Sequence, residues 1–267
     1  MAGNFGDSTH SQQWILDKQT LLRDRNQDLT ALSDLEYEKI FIFFINFIHM
    51  LGEQLNLPQL VTATASVYLK RFYVKISLKC VDPLLLASTC VSLASKVEEY
   101  GPLSGSKLLS SCQTVIKNEF TFAYSEFPYR TSQILECEFY LLEYLNCCLI
   151  VFQPYHPLLE MTKDLVHEEQ LVALARRLIT DSLKTDACLL YAPDEIALGC
   201  VQAACTTLHR EKQLKSWFAR QNVDLKNVQE VARLIINSLG LKLSYDEKKE
   251  IPALLAKMPK PSKKDRP

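Results

Sequence analysis

The chain has 267 residues, 48% of them hydrophobic, and a formal net charge of −1. That length holds one large or two modest domains with a real core, and the near-neutral balance removes the domain-wide basic footprint of a nucleic-acid binder. Only seven glycines argue against phosphate loops and hairpins and for helices.

Nine cysteines, with no signal-peptide pattern and no Asn-x-Ser/Thr acceptor, point to a reducing compartment and a soluble, intracellular protein. The longest apolar run, 40–48 and interrupted by Asn46, is too short to span a bilayer. Residues 1–10 carry Gly, Asn, Ser and Asp and read as a flexible arm. Trp14-Ile15-Leu16 opens a short amphipathic helix whose apolar side continues through Leu21 and Leu22. A tryptophan so near the terminus docks either on its own domain or on a partner.

Ser33-x-x-Glu36 is a capping box ahead of a helix over 34–54. Pro58 starts another that runs to 75, in which Ala63, Thr64, Ala65 and Ser66 permit close packing. Asp82 and Pro83 suit the N-cap and first position of the next helix, and Gly101-Pro102 stops it. Along this third helix Leu86, Cys90, Leu93 and Val97 form one stripe, and Ala87, Val91 and Ala94 form a second. Two adjacent stripes, one of small residues, suit a helix crowded on most sides. Its remaining face, Leu85, Thr89, Ser92 and Lys96, is more polar. Lys96 suits a helix C-terminus, whereas Glu98 and Glu99 do not, so the helix ends in charges it does not need. Ser104 caps a helix over 104–118, and Pro128 opens one over 128–145. That makes five helices and no convincing strand.

Beyond Cys147-Cys148 the pattern restarts, with helices over 154–163, 168–184, 193–208 and 224–239. Residues 241–258 are weakly helical and interrupted by Pro252, and the Pro- and Lys-rich tail 257–267 has a disordered composition. Setting Pro83 on Pro193 superposes Ala87 on Ala197, Cys90 on Cys200, Val91 on Val201 and Ala94 on Ala204. The offset is too long for a solenoid unit and fits two copies of one helical domain. The division is an arm and N-terminal helix (1–32), a first domain (33–150), a second (151–240) and a C-terminal helix with a basic tail (241–267).

Searches for chemistry come back empty. There is no C-x-x-C or H-E-x-x-H, and His10, His49, His156, His167 and His209 are scattered, so no metal is expected. No phosphate loop or nucleophile elbow is present. Cys147-Cys148 reads as two buried small side chains rather than a redox pair, and His167-Glu168-Glu169 as a solvated helix start. The anomaly lies in the fifth helix, where Glu138 shares a face with Leu135, Leu142 and Leu145. A carboxylate there is costly unless paired or hydrogen-bonded. One reading is an internal ion pair with Lys70 or Arg71. The other is that Glu138 and Lys96 flank a groove for a partner helix, Glu138 accepting from N–H groups or a lysine and Lys96 donating to carbonyls.

A-S-K-V-E-E at 94–99, Y-L-K-R-F-Y at 68–73 and L-E-C-E-F-Y-L-L-E at 135–143 resemble the cyclin box. W-I-L-D-K at 14–18, E-F-P-Y-R at 126–130 and C-C-L-I-V at 147–151 are similar to the branch of the cyclin family that serves the Mediator complex. The resemblance implies an all-α chain of tandem five-helix cyclin folds preceded by a short N-terminal helix. It further implies no intrinsic catalysis, no cofactor and no metal, and a regulatory role in the nucleus for RNA polymerase II transcription. The implied partners are a cyclin-dependent kinase of the Mediator complex and other kinase-module scaffold subunits, with no direct nucleic acid and no membrane. Kinase binding is expected at Lys96, Glu138 and Leu85, with Glu98 and Glu99 holding kinase arginines and the helix of Trp14 adding contacts.

The chain departs from that branch at Gly6-Asp7, where Trp-Gln is usual, at His156 for arginine and at Ala192 for proline. It also lacks the Met-Arg-Ala-Ile-Leu patch of cell-cycle cyclins. A two-repeat transcription factor of the IIB type, bridging DNA and protein, is the rival reading; it requires a basic face and usually a zinc ribbon.

Overall fold

The computed structural model describes residues 3–165, 168–221 and 223–258, without the side chains of 211–213. His167 and residues 259–267 of the tail lie outside the described residues. A 3-10 turn at Phe5–Asp7 precedes α1 (Thr9–Trp14), α2 (Lys18–Leu29), α3 (Asp34–Leu55) and α4 (Gln59–Lys75). Then come α5 (Pro83–Val97), α6 (Gly105–Glu119) and α7 (Thr131–Tyr144). The second run is α8 (Tyr155–Met161), α9 (Glu169–Ser182), α10 (Ala187–Leu190), α11 (Pro193–Thr207) and α12 (Glu211–Phe218). It closes with α13 (Leu225–Ser244) and α14 (Glu247–Lys257). No strand occurs among the described residues.

The chain forms two compact units. One consists of Asp17–Val151 with residues 246–258, the other of residues 3–16 with Phe152–Tyr245. In the first, α5 packs against α3, α4, α6 and α7. Its start follows the sequence, since Asp82 accepts from the Leu84 N–H and Pro83 occupies the first turn. Its end is a tight turn in which the N–H groups of Tyr100 and Gly101 both reach the Ser95 carbonyl while Glu99 takes a left-handed φ of 57°. The face of Thr89 and Ser92 is not free surface, because both are buried and α7 packs against α5.

The capping box of α3 forms as expected, and Glu36 is also an anchor for α14. The hydrogen bond from Lys257, with that from the Ser33 N–H, lowers the Glu36 carboxyl to about 2. Lys39 pairs with Glu250 at 2.6 Å, so two ion pairs tie α14 to α3.

The other unit is built around α11, packed by α8, α9, α12 and α13. Ala197, Cys200, Val201 and Ala204 are fully buried, as are Ala87, Cys90, Val91 and Ala94 in α5. Two close approaches need glycine. A Cβ on Gly199 of α11 would lie 2.4 Å from Val231 Cγ1, and one on Gly52 of α3 would lie 2.1 Å from Thr62 Cγ2.

Several boundaries differ from the sequence expectation. Residues 3–10, expected as a flexible arm, fold into the 3-10 turn and the start of α1; Phe5 packs edge-on to Phe152, and His10 Nδ1 accepts from the Phe152 N–H. Trp14 closes α1 rather than opening a helix, and Asp17 caps α2 through the Thr20 N–H. Helix α7 begins three residues after Pro128, where Arg130 N–H donates to Gln133 Oε1 and Gln133 substitutes for a missing Ser or Asp cap. Helices α10 and α12, too short for a periodic signal, were not expected. Pro252 lies inside α14 without ending it, since burial of Ile251 and Leu254 and the two ion pairs outweigh one lost backbone bond.

Candidate functional site

The face that the sequence singles out is built by the C-terminal end of α5 and the outer side of α7. Lys96 Nζ donates to Glu138 Oε1. The expected internal partners are engaged elsewhere: Lys70 lies 5.2 Å from the Phe41 ring centre, and Arg71 donates to the Cys148 carbonyl. Lys96 and Glu138 therefore form a closed couple in the free chain. The Glu138 side chain is only 15% exposed, against 36% for Lys96. Its second oxygen, Oε2, is buried and accepts from nothing among the described residues. A buried acceptor without a donor is costly, and an incoming donor removes that cost.

Around this carboxylate α7 is unusually apolar for an outer face. Phe139 is 73% and Leu135 52% exposed, and both lie within one turn of Glu138. Their chemistry is visible in the sequence, but the exposure is not, since Leu135 reads there as part of a buried stripe. An apolar rim around a half-satisfied charged pair has the make-up of a protein interface, with aromatic anchors and few exposed charges at its centre.

The other expected residues fall differently. Leu85 does not join the couple; it is half-buried and lines a separate cavity with Cys137 and Tyr140. Glu98 has a use inside its own unit: its carboxylate accepts from Thr64 Oγ1 at 2.6 Å, and burial raises its pKa. Glu99 is exposed on the left-handed residue that ends α5. Trp14 is 1% exposed, so it docks on its own chain and is not a surface anchor for a partner. Of the departures, His156 is exposed near Glu160, and Ala192 is compensated by Glu195, whose Oε2 accepts the Ala192 N–H at the start of α11.

No cluster of three or more potential metal ligands occurs among the described residues. Among the described residues no helix is long and apolar enough to cross a membrane.

Residues 13–150 match the family model of the cyclin N-terminal domain, and residues 153–254 match that of the cyclin C-terminal domain. The sequence is 59% identical to Cyclin-C of Drosophila melanogaster, over 98% of both chains. It is 50% identical to Cyclin-C of Rattus norvegicus, over 98% of this chain and 92% of the relative. Among solved structures, a chain of the CAK complex of Chaetomium thermophilum bound to ATP-gamma-S superposes with a TM-score of 0.73 at 17% identity, covering 96% of this chain and 88% of that one. A chain of the yeast TFIIK (Kin28/Ccl1/Tfb3) complex gives 0.67 at 23% identity, covering 86% and 100%. At these identities the two structures share the fold.

Proposed function

The chain belongs to the cyclin family, and from that premise we propose that it binds and activates a cyclin-dependent kinase of the Mediator complex in RNA polymerase II transcription, in the nucleus. As a cyclin it is a regulatory subunit and not an enzyme. The transcriptional assignment is supported by its likeness to Cyclin-C proteins and by structural neighbours that belong to kinase complexes, TFIIK among them.

A single observation carries the choice of docking face: the buried Glu138 Oε2, without a donor among the described residues, beside Lys96 and rimmed by Leu135 and Phe139. A kinase segment entering here supplies the missing donor to Glu138, while the Lys96 ammonium has protons left for carbonyls at the segment's end.

Activation then follows from kinase chemistry. Protein kinases need the glutamate of their C helix paired with the catalytic lysine. A subunit that binds only that inward state shifts the equilibrium by its differential affinity. ATP binding and phosphoryl transfer belong to the partner. Glu99, exposed and free of structural duty in its own unit, is proposed to meet a kinase arginine.

The test is a pull-down with a Mediator kinase, comparing wild type with Lys96→Ala, Glu138→Ala and the double variant. Removing one member of a desolvated, hydrogen-bonded pair costs about 2–5 kcal/mol at an interface, roughly 30- to 4,000-fold in affinity. Unchanged capture by the double variant rejects this face. Charge reversal at Glu99 is expected to lower phosphorylation more than capture, and an unaltered turnover removes that residue from the proposal.

A further inference from the structure

Three serines precede a glutamate by three positions: Ser33 before Glu36, Ser95 before Glu98 and Ser244 before Glu247. A serine followed by carboxylates in this register suits a protein kinase with a basic substrate groove, because the charges guide the hydroxyl into place. The structure separates the three. Ser95 is fully buried. Ser33 is exposed, but its Oγ caps α3 by accepting from the Glu36 N–H. The Glu36 carboxylate is itself held, by the Ser33 N–H and by Lys257.

Ser244 has neither restraint. It is the last residue of α13 and is exposed, and its predecessor Leu243 is 89% exposed, so solvent reaches this stretch from most sides. The Ser244 hydroxyl donates to the Leu241 carbonyl at 2.8 Å, a bond inside a final helical turn, where helices fray. Tyr245 (φ −131°, ψ 152°) and Asp246 (φ −88°, ψ 99°) are extended, so a groove can take up the chain here as an extended peptide. Asp246 is exposed, and its pair with Lys249 at 3.1 Å is a surface contact of little strength. Glu247 opens the first turn of α14.

We propose that Ser244 is a phosphoacceptor for an acidophilic serine kinase that uses ATP. Ser244 Oγ bonds to the γ-phosphorus, the bond from that phosphorus to the β–γ bridging oxygen breaks, and ADP leaves. The hydroxyl proton passes to the catalytic-loop aspartate of the acting kinase. The product places about two negative charges on the last turn of α13, where the helix dipole is already negative, and two residues ahead of Asp246. Phosphorylation therefore loosens that turn. The site lies on neither α5 nor α7, so it does not depend on the proposed kinase face.

The experiment incubates the full chain with ATP and casein kinase 2 as the acidophilic enzyme, with protein kinase A as the basophilic control. Phosphate is mapped by mass spectrometry. Casein kinase 2 is expected to label Ser244, and Ser33 at least about tenfold more slowly. Ser244→Ala removes the label, and Glu247→Lys slows its appearance by about tenfold. In the phosphorylated chain the amides of residues 241–244 should exchange about two- to fivefold faster. No label at Ser244, phosphate confined to Ser33 or to Ser262, or equal labelling by the two enzymes overturns the proposal. Indifference to Glu247→Lys, or amide exchange unchanged by the phosphate, overturns it as well.

Discussion

The central helices of the two units end in the same way and carry different chemistry. After α5, the N–H of Glu98 returns to Ala94 and that of Tyr100 to Ser95, with Glu99 at φ 57°; after α11, Leu208 returns to Ala204 and Arg210 to Cys205, with His209 at φ 55°. The positions that hold Lys96, Glu98 and Glu99 in one unit hold Thr206, Leu208 and His209 in the other. The turn therefore does not require the charges. In the second unit the local ion pair is Arg210 with Glu168, within one bundle. In the first, the charged end meets a carboxylate whose second oxygen has no donor among the described residues. Equal backbones with unequal side chains separate what folds the helix from what it presents.

The largest expected effect tests that separation directly. Giving α5 the ending of α11, by Lys96→Thr, Glu98→Leu and Glu99→His together, should leave helicity intact and lower kinase affinity by about two orders of magnitude, as measured by surface plasmon resonance. Retained affinity would erase the functional difference between the two ends.

A middle-sized effect probes the packing that the two helices share. Gly199→Ala puts a Cβ 2.4 Å from Val231 Cγ1 and 3.3 Å from the Val228 carbonyl, and overpacking of this kind costs about 1–3 kcal/mol. Trp14 and Trp217 both belong to this unit, so a thermal melt followed by tryptophan emission should shift to lower temperature. Gly52→Ala meets only the end of the Thr62 side chain within 3 Å and should cost less. An equal or reversed order would show that the α11 crossing is the more yielding one.

The smallest effect concerns pH. Burial raises the Glu98 carboxyl above its ordinary 4.5, against the opposing hydrogen bond from Thr64. The folded state therefore holds this proton more tightly than the unfolded one. Its contribution to stability is fullest below the unfolded value and is lost as pH rises through the folded one. Glu98→Gln should flatten that part of the stability–pH curve and raise the melting temperature slightly at neutral pH. A curve of unchanged slope would mean that burial does not hold this proton in the folded state.

The helices long enough to show a period were legible in the residues. Ser33 with Glu36 and Asp82 with Pro83 set two starts correctly because capping is local chemistry. The alignment of Pro83 on Pro193 found both central helices, because only small residues fit where four neighbours converge. Position on the surface was not legible. Thr89 and Ser92 look like a free polar face until α7 covers them, and Leu135 looks like core until nothing covers it. Lys96 and Glu138 were recognised as a couple, but their mutual contact depends on how α7 crosses α5, which no spacing within either helix specifies. Trp14 and residues 3–10 are not legible because their segment is held by residues more than a hundred positions away, His10 by Phe152 and Leu16 by Leu189.

That last separation has a consequence for synthesis. Residues 3–16 leave the ribosome well before residues 152–245, which complete their unit, whereas the unit begun at residue 17 has all but α14 in hand by residue 151. The bundle that holds residues 3–16 cannot close on a half-made chain, so this segment must remain unseated until most of the polypeptide has emerged. A nascent chain arrested at residue 150 should show Trp14 emission typical of water, and a blue-shifted, buried signal from it would contradict this order of assembly.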